Sequence, residues 1–285
     1  MRKILSLLPV LLLLCVTSCS QKKALVKNAE LVVFAAASMT ETMEYIADLY
    51  RKTAPDVKLT YNFDSSGTLK TQIQEGAECD VFISAGQRQM DQLDGAASAS
   101  VNTEGLDFVL QGTRINFLEN KVTLCVPKGN PAGITSFADL ADKLTNNNNP
   151  TPDSRLPTPI LLAMGNSDVP VGQYTQRILK YFNLDEKTLA NSGNITYGTN
   201  VKEVTTQISA SSVSCGVVYC TDAYSAGLEI VDYATVEMCG QVIYPAAVMK
   251  AGKNPEAAAA FLEYLKTDEA LAVFEKVGFA AALES

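Results

Sequence analysis

Two hydrophobic periods alternate along this chain. Leu31 to Phe34 form a continuous apolar run, the mark of a strand covered on both faces. From Thr40 the period changes, with Met43, Ile46, Ala47 and Tyr50 at i, i+3, i+4 and i+7; that spacing predicts a helix over 40–52. The alternation then repeats. Strands are expected at 57–63, 80–84, 121–127, 160–164, 194–198, 215–219, 228–233 and 241–252, and helices at 68–75, 87–93, 172–182, 201–210 and 255–265. Punctuation residues support several bounds: Gly76 stops a helix, Pro127 ends a strand, and Asn254 with Pro255 reads as a cap and first helical position. Ser136 with Asp139 is a capping-box variant ahead of Phe137, Leu140, Ala141 and Leu144 on one helical face. Between 94 and 105, "DGAASASVNTEG" is a loop by composition, and "TNNNNPTPDSRLPTP" from Thr145 to Pro159 reads as a flexible surface loop without an assignable role.

Alternating strands and helices, with continuous apolar strands, imply mainly parallel sheets covered by helices. So many units strain one sheet, and 285 residues suffice for two α/β lobes. Lobes of this kind bind ligands at the C-terminal ends of strands, where helices begin.

Composition narrows the chemistry. The chain has no histidine and no tryptophan, so the commonest general base and zinc ligand is missing. Arg2 and Lys3 precede an apolar stretch from Ile4 to Val16 that is short for a membrane span. The following "VTSC", Val16 to Cys19, resembles the lipobox of bacterial lipoproteins, with Cys19 as the lipidated residue; Cys15 is less suited because bulky Leu14 precedes it. A plain cleaved signal is the other reading. Residues 1–18 would then be a lipoprotein signal peptide and 19–28 a polar tether holding an extracytoplasmic protein to the membrane. Cleavage takes the 23 basic residues to 21 against 31 acidic ones, a net charge of −10, which disfavours nucleic acid as a partner. Of the later cysteines, Cys215 and Cys220 stand five apart around "GVVY" and would point to opposite faces of a strand. Buried small hydrophobes are the simplest reading of all five.

Four strand-to-helix junctions share one design. "FAAAS" places Ser38 before a helix, "FDSSG" places Ser65, Ser66 and Gly67 there, "DVPVG" offers Val171 and Gly172, and "YGTN" offers Asn200 and Val201. Each helix N-terminus carries unpaired N–H groups and about half a positive charge, so together they could hold an anion without a lysine or arginine. Each also has a local explanation: Ser38 with Glu41 fits a capping box, Ser65 to Gly67 an ordinary turn, and Tyr219 a half-buried strand-end tyrosine. A serine-dependent enzyme is the contrasting class. It lacks a histidine for a triad and a G-x-S-x-G elbow, and Lys70, one turn beyond Ser66, is expected to face solvent.

The motifs "VFAAAS", "SSGTL", "DVFISAG", "VPVG", "NVKE", "GVVYCTDA" and "YPAAVM", in this order from about Leu31 to Phe279, resemble the substrate-binding proteins of bacterial molybdate ABC transporters. The resemblance implies a type II periplasmic-binding-protein fold: two α/β lobes joined by crossover strands near 121–126 and 241–248, with lobe I at 29–122 plus 243–285 and lobe II at 123–242. It implies that the hydroxyls and N–H groups of Ser38 and Ser66, the N–H groups of Val171 and Val201, and the phenol of Tyr219 grip an oxyanion, molybdate or tungstate, with no catalysis, no cofactor and no metal–protein bond. An ABC permease is the implied partner, and a monomer the implied state. Three features depart from the family pattern: Gly67 where a serine is common, Val171 where alanine is common, and the asparagine- and proline-rich insertion. The chemistry fits independently. Molybdate and tungstate are fully deprotonated near neutral pH, so a donor-only site suits them, whereas phosphate calls for an acceptor; Asp64 is the acid nearest in sequence. Sulfate is the alternative ligand among oxyanions.

Overall fold

The structure, a computed structural model, describes residues 28–148 and 159–282. The expected signal peptide, the Cys19 anchor, most of the tether and residues 149–158 of the Asn/Pro-rich segment lie outside the described residues.

The described residues build two sheets. The larger contains β1 (Ala29–Ala36), β2 (Val57–Asp64), β3 (Val81–Ile83), β4 (Ile115–Asn120), β10 (Val242–Val248) and β11 (Ala280–Ala281), ordered β11-β4-β10-β3-β1-β2. The smaller contains β5 (Val122–Val126), β6 (Leu162–Gly165), β7 (Ile195–Gly198), β8 (Cys215–Tyr219) and β9 (Glu229–Tyr233), ordered β7-β6-β8-β5-β9. Helices follow most strands: α1 (Thr40–Thr53), α2 (Ser66–Gln74), α3 (Gln87–Asp91), α4 (Phe137–Asn148), α5 (Pro170–Tyr181), α6 (Glu186–Asn191), α7 (Val201–Ser209), α8 (Cys220–Ala226), α9 (Val236–Cys239), α10 (Pro255–Leu265) and α11 (Asp268–Lys276).

The sheets are more mixed than the alternation suggests. β1 pairs in parallel with β2 and β3, and β6 with β7 and β8. β10 runs antiparallel to β3 and β4, and β5 antiparallel to β8 and β9. The cause is the crossing of the chain between sheets. β4 leaves the larger sheet at Asn120 and, after Lys121, continues as β5 of the smaller; β10 re-enters the larger sheet against the direction of β3. The sequence reading placed the first crossing at 121–126 and missed β4, the half of it that lies in the larger sheet. Pro245 lacks an N–H and sits at a register shift between Tyr244 and Pro245, where a proline is tolerated inside a sheet.

The periodicity found the buried faces. Met43, Ile46 and Tyr50 of α1, and Phe137, Leu140, Ala141 and Leu144 of α4, are buried, each large apolar side chain contributing roughly 1.5–3 kcal/mol against exposure. At α4, Ser136 Oγ accepts from Asp139 N–H at 3.1 Å, while Asp139 Oδ2 reaches back to Thr135 N–H at 2.9 Å. This helix extends to Asn148, beyond the expected start of the loop at Thr145. Asn254 holds the N-cap position of α10 without a capping bond. Its N–H donates to Asp80 Oδ1 and its amide to Glu30 O instead, because the neighbouring strands offer acceptors. All five described cysteines are free and buried, as expected of small apolar residues.

Candidate functional site

Five helix N-termini gather where the two sheets face each other. β1 runs into the 3-10 turn Ala37–Met39 and then α1; β2 leads into α2, β6 to α5, β7 to α7 and β8 to α8. Alanines at 35, 36 and 37 are buried there beside Ser38, which is 5% exposed.

Ser38 does not cap α1. Met39 is the cap residue, without a side-chain bond, and Glu41 reaches elsewhere. Ser38 Oγ lies 2.9 Å from the hydroxyl of Tyr244, which also accepts from Asn120 Nδ2 at 3.1 Å. The two adjacent serines divide their roles. Ser65 is the N-cap of α2, accepting from Thr68 N–H at 3.1 Å. Ser66, fully buried at the first helical position, accepts from Ala85 N–H at 2.9 Å, so its own proton is free to be donated. Lys70 is half-buried rather than solvent-facing, and the partner of the Ser66 hydroxyl is the Ala85 amide, not an amine.

Tyr219 comes from the other sheet and donates to Ala85 O at 3.3 Å. Ser66 and Tyr219 therefore meet at one residue, and the rings of Tyr219 and Tyr244 pack edge-on at 5.7 Å. Burial first, then neighbouring Tyr244 and Tyr174, holds the Tyr219 phenol well above its ordinary pKa; burial and then Asp222 do the same for Tyr244. Both remain neutral hydrogen-bonding groups.

Val171 and Val201 are buried in the first turns of α5 and α7. N–H groups there have no partner within the helix, and among the described residues none is found for these two elsewhere. The Val171 side chain belongs to the main apolar cluster. Asn200 caps α7, accepting from Glu203 N–H at 3.1 Å. Pro170 and the 3-10 turn bring these helices to the same junction: a Cβ built on Gly86 would lie 3.3 Å from Pro170 Cβ, and α7 packs on Ala37–Met39.

The departure at Gly67 has a steric cause. A Cβ there would stand 2.2 Å from the Asp168 carbonyl oxygen, so the start of α2 touches the backbone of the opposite side and no side chain fits. Gly172 is under the same constraint within its own lobe, with Asn166 O at 2.2 Å and Gly165 O at 2.3 Å from a built Cβ; α5 can dock on the end of β6 only without a side chain. Beside the site a groove of about 540 Å³ opens between Thr68, Arg88 and Gln92 on one wall and Asn166, Asp168 and Thr199 on the other. Asp64, the suspected acceptor, spends Oδ1 on Ser65 N–H at 2.7 Å.

Sequence reasoning missed Tyr244, Asn120 and the Ala85 peptide, which connect the predicted residues. It also missed Asp222, fully buried on α8, whose two carboxylate oxygens have no hydrogen-bond partner among the described residues. Tyr244 and Asp222 stand inside the motifs "YPAAVM" and "YCTDA", so their positions were visible but their burial was not.

Residues 31–280 match the family model described as bacterial extracellular solute-binding protein. The chain is 32% identical over 275 residues to YvgL of Bacillus subtilis (strain 168), provisionally named an ABC transporter substrate-binding lipoprotein, with 94% of each chain covered. It is 31% identical over 258 residues to the molybdate-binding protein ModA of Escherichia coli (strain K12), covering 90% of this chain and 91% of the relative. The periplasmic molybdate-binding protein of Azotobacter vinelandii superposes with a TM-score of 0.68 at 20% identity, over 88% of this chain and 98% of that one. The sulfate-binding protein SubI of Mycobacterium tuberculosis H37Rv superposes at 0.65 and 15% identity, over 89% and 87%.

Proposed function

This chain belongs to the bacterial extracellular solute-binding protein family, and from that premise we propose that it captures molybdate, with tungstate as a second ligand, and delivers it to an ABC permease. The family is one of transport components, not enzymes. We take the segments of the larger sheet, about 29–122 and 243–285, as one lobe and 123–242 as the other, closing on the ion.

One observation carries the reading of the site. Hydroxyls of Ser38, Ser66 and Tyr219 and first-turn N–H groups of Val171 and Val201, drawn from both sheets, are buried at one junction. Such a set offers donors, the Tyr219 hydroxyl by turning from Ala85 O to the ion, and helix-terminus potential, suited to a tetrahedral dianion that has no proton to give back. Hydrogen bonds to a charged group contribute about 1.5–3 kcal/mol each, and several of them offset desolvation and closure. The relatives named for molybdate support the larger ion. Sulfate is the second reading, favoured by the shared fold of the sulfate-binding structure; its shorter bonds would leave donors spaced for molybdate out of reach. An N-terminal lipid anchor at Cys19 would keep the protein at the membrane, which agrees with the lipoprotein name of the Bacillus relative.

Isothermal titration with molybdate, tungstate, sulfate and phosphate tests this. Molybdate and tungstate should bind one to one with sulfate and phosphate silent. Ser38→Ala and Ser66→Ala should each weaken molybdate by about 10- to 150-fold, the equivalent of one charge-assisted bond. A folded protein that ignores molybdate and tungstate would overturn the assignment.

A further inference from the structure

Lys202 sits at the second position of α7 and faces two carboxylates. Its Nζ lies 2.7 and 2.8 Å from the oxygens of Glu41, in the first turn of α1 on the opposite sheet. The same atom is 3.5 Å from Asp222 Oδ1, on α8 of its own side. The side chains are unequal in setting: Glu41 is 53% exposed, Lys202 32%, and Asp222 not at all. A buried carboxylate without hydrogen bonds is costly, and its one cation among the described residues gives both short bonds to another acid.

We propose that Glu41, Lys202 and Asp222 form a closure latch, in which Lys202 bridges the cleft to Glu41 when the lobes close and falls back on Asp222 when they part. The three are positioning residues: they hold together the helix starts that carry Ser38 and Val201 without contacting the ion. The proposal rests on reading the two sheets as lobes that open and close, but not on which oxyanion they take.

Asp222 competes with Glu41 for one ammonium, so its protonation strengthens the latch. Six groups face it: Lys202 from α7, Glu41 from α1, Tyr219 from β8, Tyr244 from β10, Cys125 from β5 and Cys220 from α8. Burial raises the tyrosines and thiols, leaving Lys202 and Glu41 as the charged neighbours. Burial, only partly offset by Lys202, carries the Asp222 carboxyl up to about 7 in this closed arrangement. With Lys202 resting wholly on it after opening, that pKa falls. The closed form therefore binds more protons, so closure is favoured as pH falls through about 7 and loses this contribution as pH rises through it.

Hydrogen-exchange mass spectrometry on the ligand-free protein tests the latch, following peptides over 34–43 and 199–206 and correcting for intrinsic exchange. In the unmodified protein, protection of these peptides should rise about three- to tenfold from pH 8 to pH 6. At pH 8 Glu41→Gln should speed their exchange about two- to fivefold, the range of a partly exposed ion pair, and at pH 6 by more, with peptides from the far side of each sheet unchanged. Both Glu41→Gln and Asp222→Asn should abolish the pH response, since it needs the competition. A pH response that survives either substitution, or exchange unchanged by Glu41→Gln, overturns the latch. Stopped-flow release of molybdate should accelerate in Glu41→Gln by the same factor. A protein that binds no molybdate would overturn the ligand reading while the exchange experiment still decides the latch.

Discussion

Gly67 shows how one missing side chain encodes a contact between distant segments. With the Asp168 carbonyl 2.2 Å from any Cβ, Gly67→Ala should leave the isolated fold intact but obstruct the closed arrangement. The expected outcome is an affinity for molybdate at least about tenfold weaker, a penalty in the range of overpacking. Calorimetric melting of the ligand-free protein should be nearly unchanged, which separates blocked closure from misfolding. The neighbouring serines carry the complementary lesson. Ser65 and Ser66 look interchangeable in "SSG", yet one caps its own helix and the other binds the Ala85 amide. A helix N-terminus fixes which residue is the cap; it does not say what stands opposite the next one.

At the scale of elements, local rules held where local groups supplied the partners. Ser136 and Asp139 cap α4 as their spacing predicts, with the return bond shifted one residue to Thr135. Ser136→Ala should cost about 1 kcal/mol in denaturant unfolding, provided the transition remains two-state. Local rules failed where a neighbouring element competed. Ser38 and Glu41 had capping-box spacing, but Tyr244 and Lys202 drew both side chains away. β4 was missed because "INFLEN" mixes polar residues into a strand that pairs with β10 on one side and short β11 on the other. The short helices α6, α8 and α9 carry too few turns for a readable period.

For the whole molecule, an acidic chain with net charge −8 can take up the proposed dianion only through short-range donors. Its diffuse field would repel such a ligand, and that repulsion is screened over about 8–10 Å at physiological salt. Association of molybdate measured by stopped flow should therefore quicken as salt is raised from low to physiological strength, opposite to electrostatic steering by an attractive field. The local contacts that set release should respond less.

The amino-acid sequence by itself determined the alternation of strands and helices, the buried stripes of α1 and α4, the burial of the cysteines, the strand-to-helix junctions where Ser38, Ser66, Val171 and Val201 stand, and the strand end that carries Tyr219. Those features follow from periodicity, caps and side-chain size, which act over a few residues. Tertiary structure decided that Asn120 and Tyr244 link Ser38 to Tyr219 and Ser66, that Gly67 must be bare, and that Asp222 is buried with Lys202 as its only counter-charge among the described residues. Each of these joins residues from about twenty to more than two hundred positions apart. Their chemistry is set by distance and dielectric between packed elements, quantities that no local pattern contains.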